Sequence, residues 1–276
     1  MDDQSQFDES TNPDAPLDPS PGEEAGAQPW NLVPVSASDH AKGKRRRTLF
    51  IAAAVILVVG STGWIYKRSV DPIHALEEFD AGERLLKNAR YAQAIVSFDR
   101  AISYDGNFAE AYLMRGRANI ALARPVAAIP DFSKVIELHP KDPQAWLDRG
   151  SAHSTQLEWP EALSDFNHAI ELDPKLALAY NLRGSAVRAM GDPRKAVADF
   201  NRAVELLPNM DNIFQRGATY QILGEHEPAI ADFSRVISFE PGSAQAYFAR
   251  SQSFRALGDE ASAKRDHRTG RILDGK

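Results

Sequence analysis

Five arginines recur at a near-constant step along the chain: Arg115, Arg149, Arg183, Arg216 and Arg250. An aspartate follows each of them sixteen residues later, at Asp131, Asp165, Asp199, Asp232 and Asp266. An arginine partly withdrawn from water needs a carboxylate, and its planar fork of donors matches one geometrically. The two residue types are also missing together, because the equivalent upstream positions hold Ala81 and Ser97. The predicted chemistry is a set of structural ion pairs. Other reactive residues form no constellation. His153 and His168 are the best-placed histidines for a shared ligand, but no third ligand has suitable spacing. His153 is instead expected to fill the place of a core aromatic. The chain has no cysteine, which excludes disulfides, thiolate metal sites and cysteine nucleophiles. There is no phosphate-binding glycine loop, nucleophile elbow or His-Glu-x-x-His pattern. The reading is therefore no catalytic residues, no metal and no cofactor.

The Arg–Asp spacing is one part of a larger period. Glycines stand at Gly82, Gly116, Gly150, Gly184 and Gly217, with Ser251 next. Alanines recur at Ala94, Ala128, Ala162, Ala196, Ala229 and Ala263, and phenylalanines at Phe98, Phe132, Phe166, Phe200 and Phe233. The step is 34 residues, with a single step of 33. Apolar residues within each period follow helical spacing on either side of a short break, so each unit reads as helix A, turn, helix B. The breaks carry turn chemistry, as in Gly191-Asp192-Pro193, Gly224-Glu225 and Gly258-Asp259. Pro125, Pro160, Pro193 and Pro228 fall where helix B begins, and Pro140, Pro174, Pro208 and Pro241 fall where it ends. Pro130 lies inside a helix B and is expected to bend it. A mid-helix glycine costs about 1 kcal/mol relative to alanine. Its recurrence predicts close packing of helix A, against the small alanine of helix B.

A 34-residue period with Trp/Tyr-x3-Gly in helix A and Ala-x3-Phe in helix B resembles the tetratricopeptide repeat family. The resemblance implies an all-α fold, a right-handed solenoid of about six helix-turn-helix units. The units are 75–108, 109–142, 143–176, 177–209, 210–243 and 244–276. It also implies a partner groove lined by helix A. On that register the groove residues are Phe79, Leu113, Leu147, Asn181, Phe214 and Phe248, with Arg117, Arg188, Gln221, Gln252 and Arg255 beside them. A mostly apolar strip edged with arginine suits an extended peptide or an amphipathic helix; the same strip equally suits packing between helices. Chaperone-binding members of the family carry a Lys/Asn carboxylate clamp, but Phe79 and Glu83 stand at those positions here, so that specialised role is not implied.

The segments before residue 75 have a different character. Residues 1–41 hold nine acidic residues, six prolines and no Lys or Arg, and are expected to be disordered. Residues 42–47, KGKRRR, carry five positive charges, and 1–47 reads as an acidic tail ending in a basic juxtamembrane segment. Residues 48–66, TLFIAAAVILVVGSTGWIY, contain no charge. A helix of that length would cross a bilayer, so one transmembrane helix is expected, followed by a linker over 67–74. Five Lys/Arg precede this span and two follow it closely, which predicts a cytoplasmic N-terminus and extracytoplasmic repeats, periplasmic in a bacterium. The residues after 47 hold 27 basic and 29 acidic side chains, a balance that argues against a nucleic-acid surface. The functional expectation is a membrane-anchored scaffold whose groove binds a protein partner in envelope assembly or secretion. The alternative is an accessory protein that binds a cell-envelope polymer and positions an enzyme.

Overall fold

The computed structural model describes residues 71–275. The expected tail and span lie outside the described residues. Among the described residues no helix is long and apolar enough to cross a membrane.

Twelve helices follow one another without a strand among the described residues. The A helices are α1 (Pro72–Lys87), α3 (Ala109–Ala121), α5 (Pro143–Thr155), α7 (Ala177–Ala189), α9 (Met210–Ile222) and α11 (Ala244–Ala256). The B helices are α2 (Tyr91–Tyr104), α4 (Pro125–Leu138), α6 (Trp159–Leu172), α8 (Pro193–Leu206), α10 (His226–Phe239) and α12 (Glu260–Leu273). Each helix packs on the next, as six stacked helix pairs require. Successive A helices also touch across units, α1 with α3, α5 with α7, α7 with α9 and α9 with α11, while no two B helices make comparable contact. The A helices therefore form the inner edge of the stack.

Local chemistry sets the ends of these helices. Proline opens α1, α4, α5 and α8 and is second in α6, where its missing N–H costs nothing. Side chains of Asp71, Asp142, Asp192, Asn209 and Asp259 accept a hydrogen bond from a first-turn N–H. Helix α1 begins at Pro72, inside the segment expected to be linker, because Asp71 caps it there. Pro130 does not break α4, which is one continuous helix.

All six A-to-B turns share one geometry. Each has a left-handed residue after helix A: Ala89, Ala123, Leu157, Gly191, Gly224 and Gly258. The following N–H reaches back five residues, as from Arg90 to the Leu85 carbonyl at 2.9 Å and from Asp259 to the Phe254 carbonyl at 2.9 Å. This is the Schellman closure of a helix end. The first three units make it without glycine.

The core repeats with the sequence. Phe98, Phe132, Phe166, Phe200 and Phe233 are fully buried, as are the six periodic alanines. The periodic glycine makes room for the phenylalanine ring, and not chiefly for the alanine as the sequence suggested. A Cβ on Gly82 would stand 2.5 Å from the Phe98 ring, on Gly116 2.6 Å from Phe132, and on Gly150 2.8 Å from Phe166. The last unit reverses the arrangement. Phe248 of α11 lies against Gly270 of α12, and the Ser251 hydroxyl donates to the Ala263 carbonyl at 2.8 Å.

Candidate functional site

The Arg–Asp pairs form in all five units that contain them. Arg149 Nε and Nη2 donate to the two carboxylate oxygens of Asp165 at 2.8 and 2.7 Å, and the same bidentate bond joins Arg115 to Asp131, Arg183 to Asp199, Arg216 to Asp232 and Arg250 to Asp266. The five aspartates are buried. For Arg115, burial works against the charge, but Asp131 and Asp99 outweigh it and hold the guanidinium above its ordinary value. Each pair spans helices A and B of one unit.

The same arginine makes a third bond, which its spacing from the aspartate does not signal. Arg115 Nη1 reaches Asp99, Arg149 Nη1 reaches Ser133, Arg183 Nη1 reaches Asn167, Arg216 Nη1 reaches Asn201 and Arg250 Nη1 reaches Ser234. Each acceptor lies on helix B of the preceding unit, immediately after its buried phenylalanine. One guanidinium thus ties three helices. It also lies over an aromatic ring of its own helix, Tyr112, Trp146, Tyr180 or Tyr247, at 5.0 to 5.5 Å. Each of these half-buried rings has one face covered by arginine.

The residues assigned to the groove have mixed fates. Phe79, Leu147 and Asn181 are buried and have no surface to offer a partner. The Phe79 ring lies 5.7 Å from Phe98 and 4.9 Å from Phe108. The Asn181 side chain donates to Asn212 Oδ1 at 2.7 Å and to Asp211 at 3.2 Å. Leu113 is half-buried against Phe132 and Ile136, Phe214 against the Phe233 ring at 5.4 Å, and Phe248 against Gly270. The physical reason is that helix A is enclosed by its own helix B and by the preceding one, so its apolar residues are drawn to both sides.

Three of the polar groove residues bridge neighbouring A helices. Arg117 Nε donates to Asp148 at 2.8 Å; burial pushes the Asp148 carboxyl up, while Arg117 and Gln144 favour its charge. Arg188 donates to the Gln215 carbonyl, the Gln215 side chain and the Thr219 hydroxyl. Burial holds the Arg188 guanidinium below its ordinary value, with the Asp211 charge opposing. Gln221 donates to the Ala249 carbonyl and the Ser253 hydroxyl, both at 3.0 Å. Only Gln252 and Arg255 stand exposed. Between the bridges the inner edge presents half-exposed small residues such as Ser151 and Ser185.

The histidines do not meet. His153 Nδ1 lies 2.6 Å from Glu158, whereas the His168 ring stacks on Trp146 at 4.5 Å. His153 is thus a hydrogen-bond partner of Glu158 at the turn and not a core aromatic. Among the described residues no group of three His, Asp or Glu side chains could hold a metal ion.

The stacked helix pairs, the ring-filled core and the period define a tetratricopeptide repeat array. The family model described as Tetratricopeptide repeat matches residues 79–143, 120–177 and 147–211, and the chain belongs to this family. No curated protein matches it in sequence. Several solved structures are similar in fold. PilW, described as a widely conserved type IV pilus biogenesis factor, superposes with a TM-score of 0.65 at 19% identity, over 72% of this chain and 92% of its own. PilF of Pseudomonas aeruginosa gives 0.63 at 16% identity, over 72% and 91%. YrrB, described as a tetratricopeptide repeat protein with an unusual peptide-binding site, gives 0.55 at 19% identity, over 65% and 93%. These likenesses concern the fold. Proteins of the family are typically interaction scaffolds.

Proposed function

We propose that the chain is a membrane-anchored scaffold that holds a protein partner along the inner edge of its A helices, in envelope assembly or secretion. The carrying observation is that this edge runs along successive units, tied by side-chain bonds from α3 to α5, from α7 to α9 and from α9 to α11, while its small residues remain half-exposed. A preformed surface binds without an ordering cost of its own, which suits an extended peptide or one face of a helix. Ser151 and Ser185 leave room for partner side chains, and Gln252 and Arg255 supply polar contacts towards the C-terminal end. The uncharged run at 48–66 and the five Lys/Arg before it support a span with the repeats outside the cytoplasm. The anchor then raises the local concentration of the partner at the bilayer. The peptide-binding description of YrrB and the pilus-biogenesis description of PilW are compatible with this role and were given for those proteins.

Two measurements test the proposal. The chain has no cysteine, so Ser5→Cys and Ser243→Cys are single probes for a membrane-impermeant maleimide on intact cells. Labelling of Ser243→Cys alone is expected; labelling of Ser5→Cys alone would place the repeats in the cytoplasm and remove the envelope role. A photo-reactive residue at Ser151 or Ser185 is expected to trap the same protein, whereas one at exposed Val126 of helix B is not. Equal trapping at all three positions would refute the inner-edge site.

A further inference from the structure

The two ends of the array are built from the same lattice positions as its interior, but with different chemistry. In units one to five, helix B receives the next helix A on an apolar row. Ile102, Ile136, Ile170, Val204 and Ile237 occupy one position of that row and pack against the following A helix. In α12 this position is Arg271. Lys264 stands where Ile129 and Leu163 pack, and Arg268 stands where Asp99, Ser133 or Asn167 accepts the next unit's arginine. Arg255 has the position from which Arg188 and Gln221 reach the following A helix. Together these residues line an open cleft of about 300 Å³, with His267 and Ile272 completing it. The cleft is the seat of a further A helix, made cationic.

At the other end, α1 is an A helix with its preceding-unit face altered in the opposite sense. Glu77 stands where Ala111, Ala145, Ala179 and Ala246 are buried, and Asp80 shares its position with Met114, Leu182 and Asp148, the last of which pairs with Arg117. Ala81 replaces the periodic arginine, the one residue that would repel Arg268. Arg84 is the one cation on this face, and the register puts it against Ala263, His267 and Lys264, away from Arg271. The charge of the whole array is skewed in the same direction: residues 71–243 carry 18 Lys/Arg and 25 Asp/Glu, whereas 244–276 carry seven and four.

We propose that the cationic end face of one copy seats α1 of a second copy as its next A helix. Arg271 then lies between Glu77 and Asp80, and Arg268 fills the place that Ala81 leaves. Such a contact is heterologous, so it propagates as a row or closes as a ring and does not stop at a symmetric dimer. Because it joins opposite charges at accessible ends, it is sensitive to salt.

The test uses the full chain in detergent micelles, followed by sedimentation velocity at increasing concentration in low and high salt. Species larger than the monomer are expected at low salt, with association weakened by at least ~10-fold at high salt. One variant reverses Lys264→Glu, Arg268→Glu and Arg271→Glu; a second reverses Glu77→Lys and Asp80→Lys. Each alone should sediment as a monomer with unchanged far-ultraviolet circular dichroism, and mixing the two should restore association. A wild type that stays monomeric, or oligomers that persist in both reversed variants, overturns the proposal. If a reversed variant does not fold, Glu77→Cys copies mixed with Arg271→Cys copies decide the matter, since each loses one charge only. Oxidation should yield a mixed disulfide dimer, and its absence refutes the contact.

Discussion

Removal of the Arg149 guanidinium is the sharpest perturbation this fold offers. Asp165 is 3% exposed and receives two bonds from Arg149. Arg149→Ala strands that carboxylate in the interior, a loss of about 3–5 kcal/mol for a broken buried pair. It also removes the bond to Ser133 of the preceding unit and the stack on Trp146. Asp165→Ala is milder, because the Arg149 side chain keeps 22% of its surface and can turn to water; about 1.5–3 kcal/mol is expected for the lost charged bonds. The double variant strands nothing, so its loss should fall short of the sum by at least ~1.5 kcal/mol. Urea titration of the three variants and the wild type, followed by circular dichroism and analysed with nearest-neighbour coupling between repeats, measures this directly. Additivity to within about 0.5 kcal/mol would refute the buried-pair argument. The cycle can be repeated at Arg183 and Asp199, where Asn167 replaces Ser133 as the third partner.

Three other outcomes are expected. Leu157→Gly should raise stability by up to about 1 kcal/mol, since Leu157 has φ 60° in a largely exposed turn, and Gly191→Ala at φ 90° should lower it by a similar amount; opposite signs in thermal melts would contradict the turn geometry. Gly150→Ala should cost about 1–3 kcal/mol, because its Cβ would press on the Phe166 ring at 2.8 Å and on Asp165, while Gly242→Ala, with no atom near, should be tolerated. The side-chain bond to Asp71 raises the His74 imidazole above its ordinary value, and bonds from His74 lower Asp71. The stabilisation from His74 is complete below the ordinary imidazole range and is lost as pH rises through the raised value; that from Asp71 is lost as pH falls through its lowered value. Nuclear magnetic resonance titration of Asp71→Asn should return the His74 midpoint towards the ordinary range, and an unmoved midpoint would show that the pair does not form in solution.

The period alone made the helix pairs, the buried phenylalanines and the Arg–Asp pairing legible, because each depends on a residue type repeated at one position. What it concealed lacks that property. The third bond of each arginine goes to Asp99, Ser133, Asn167, Asn201 or Ser234, acceptors united by function and not by identity. A search for short hydrogen-bonding side chains beside the periodic phenylalanine would have found it. The turns at Ala89, Ala123 and Leu157 gave no sign because the left-handed residue is not glycine. The groove assignment was harder for a physical reason. Helix A is packed on two sides, so its apolar residues do not mark one face, and Phe79 and Leu147 read as readily as partner surface as they do as core. The register predicted the residue at each position but not the direction in which Asn181 is buried.

The side-chain bridges between A helices are unevenly distributed, and this sets where the array can flex. Arg117 ties α3 to α5, Asn181 and Arg188 tie α7 to α9, and Gln221 ties α9 to α11. Among the described residues no such bond joins α5 to α7, whose junction rests on Leu147, Ala179 and Leu182 in apolar contact. Directional bonds resist bending through a steep angular potential, whereas apolar contacts slide with little loss of energy. On the inner edge the third and fourth units therefore meet by apolar contact alone, and the directional bond across their junction lies on the helix B side, from Arg183 to Asn167. Bending between these two units would pivot about that bond while the A helices slide past one another.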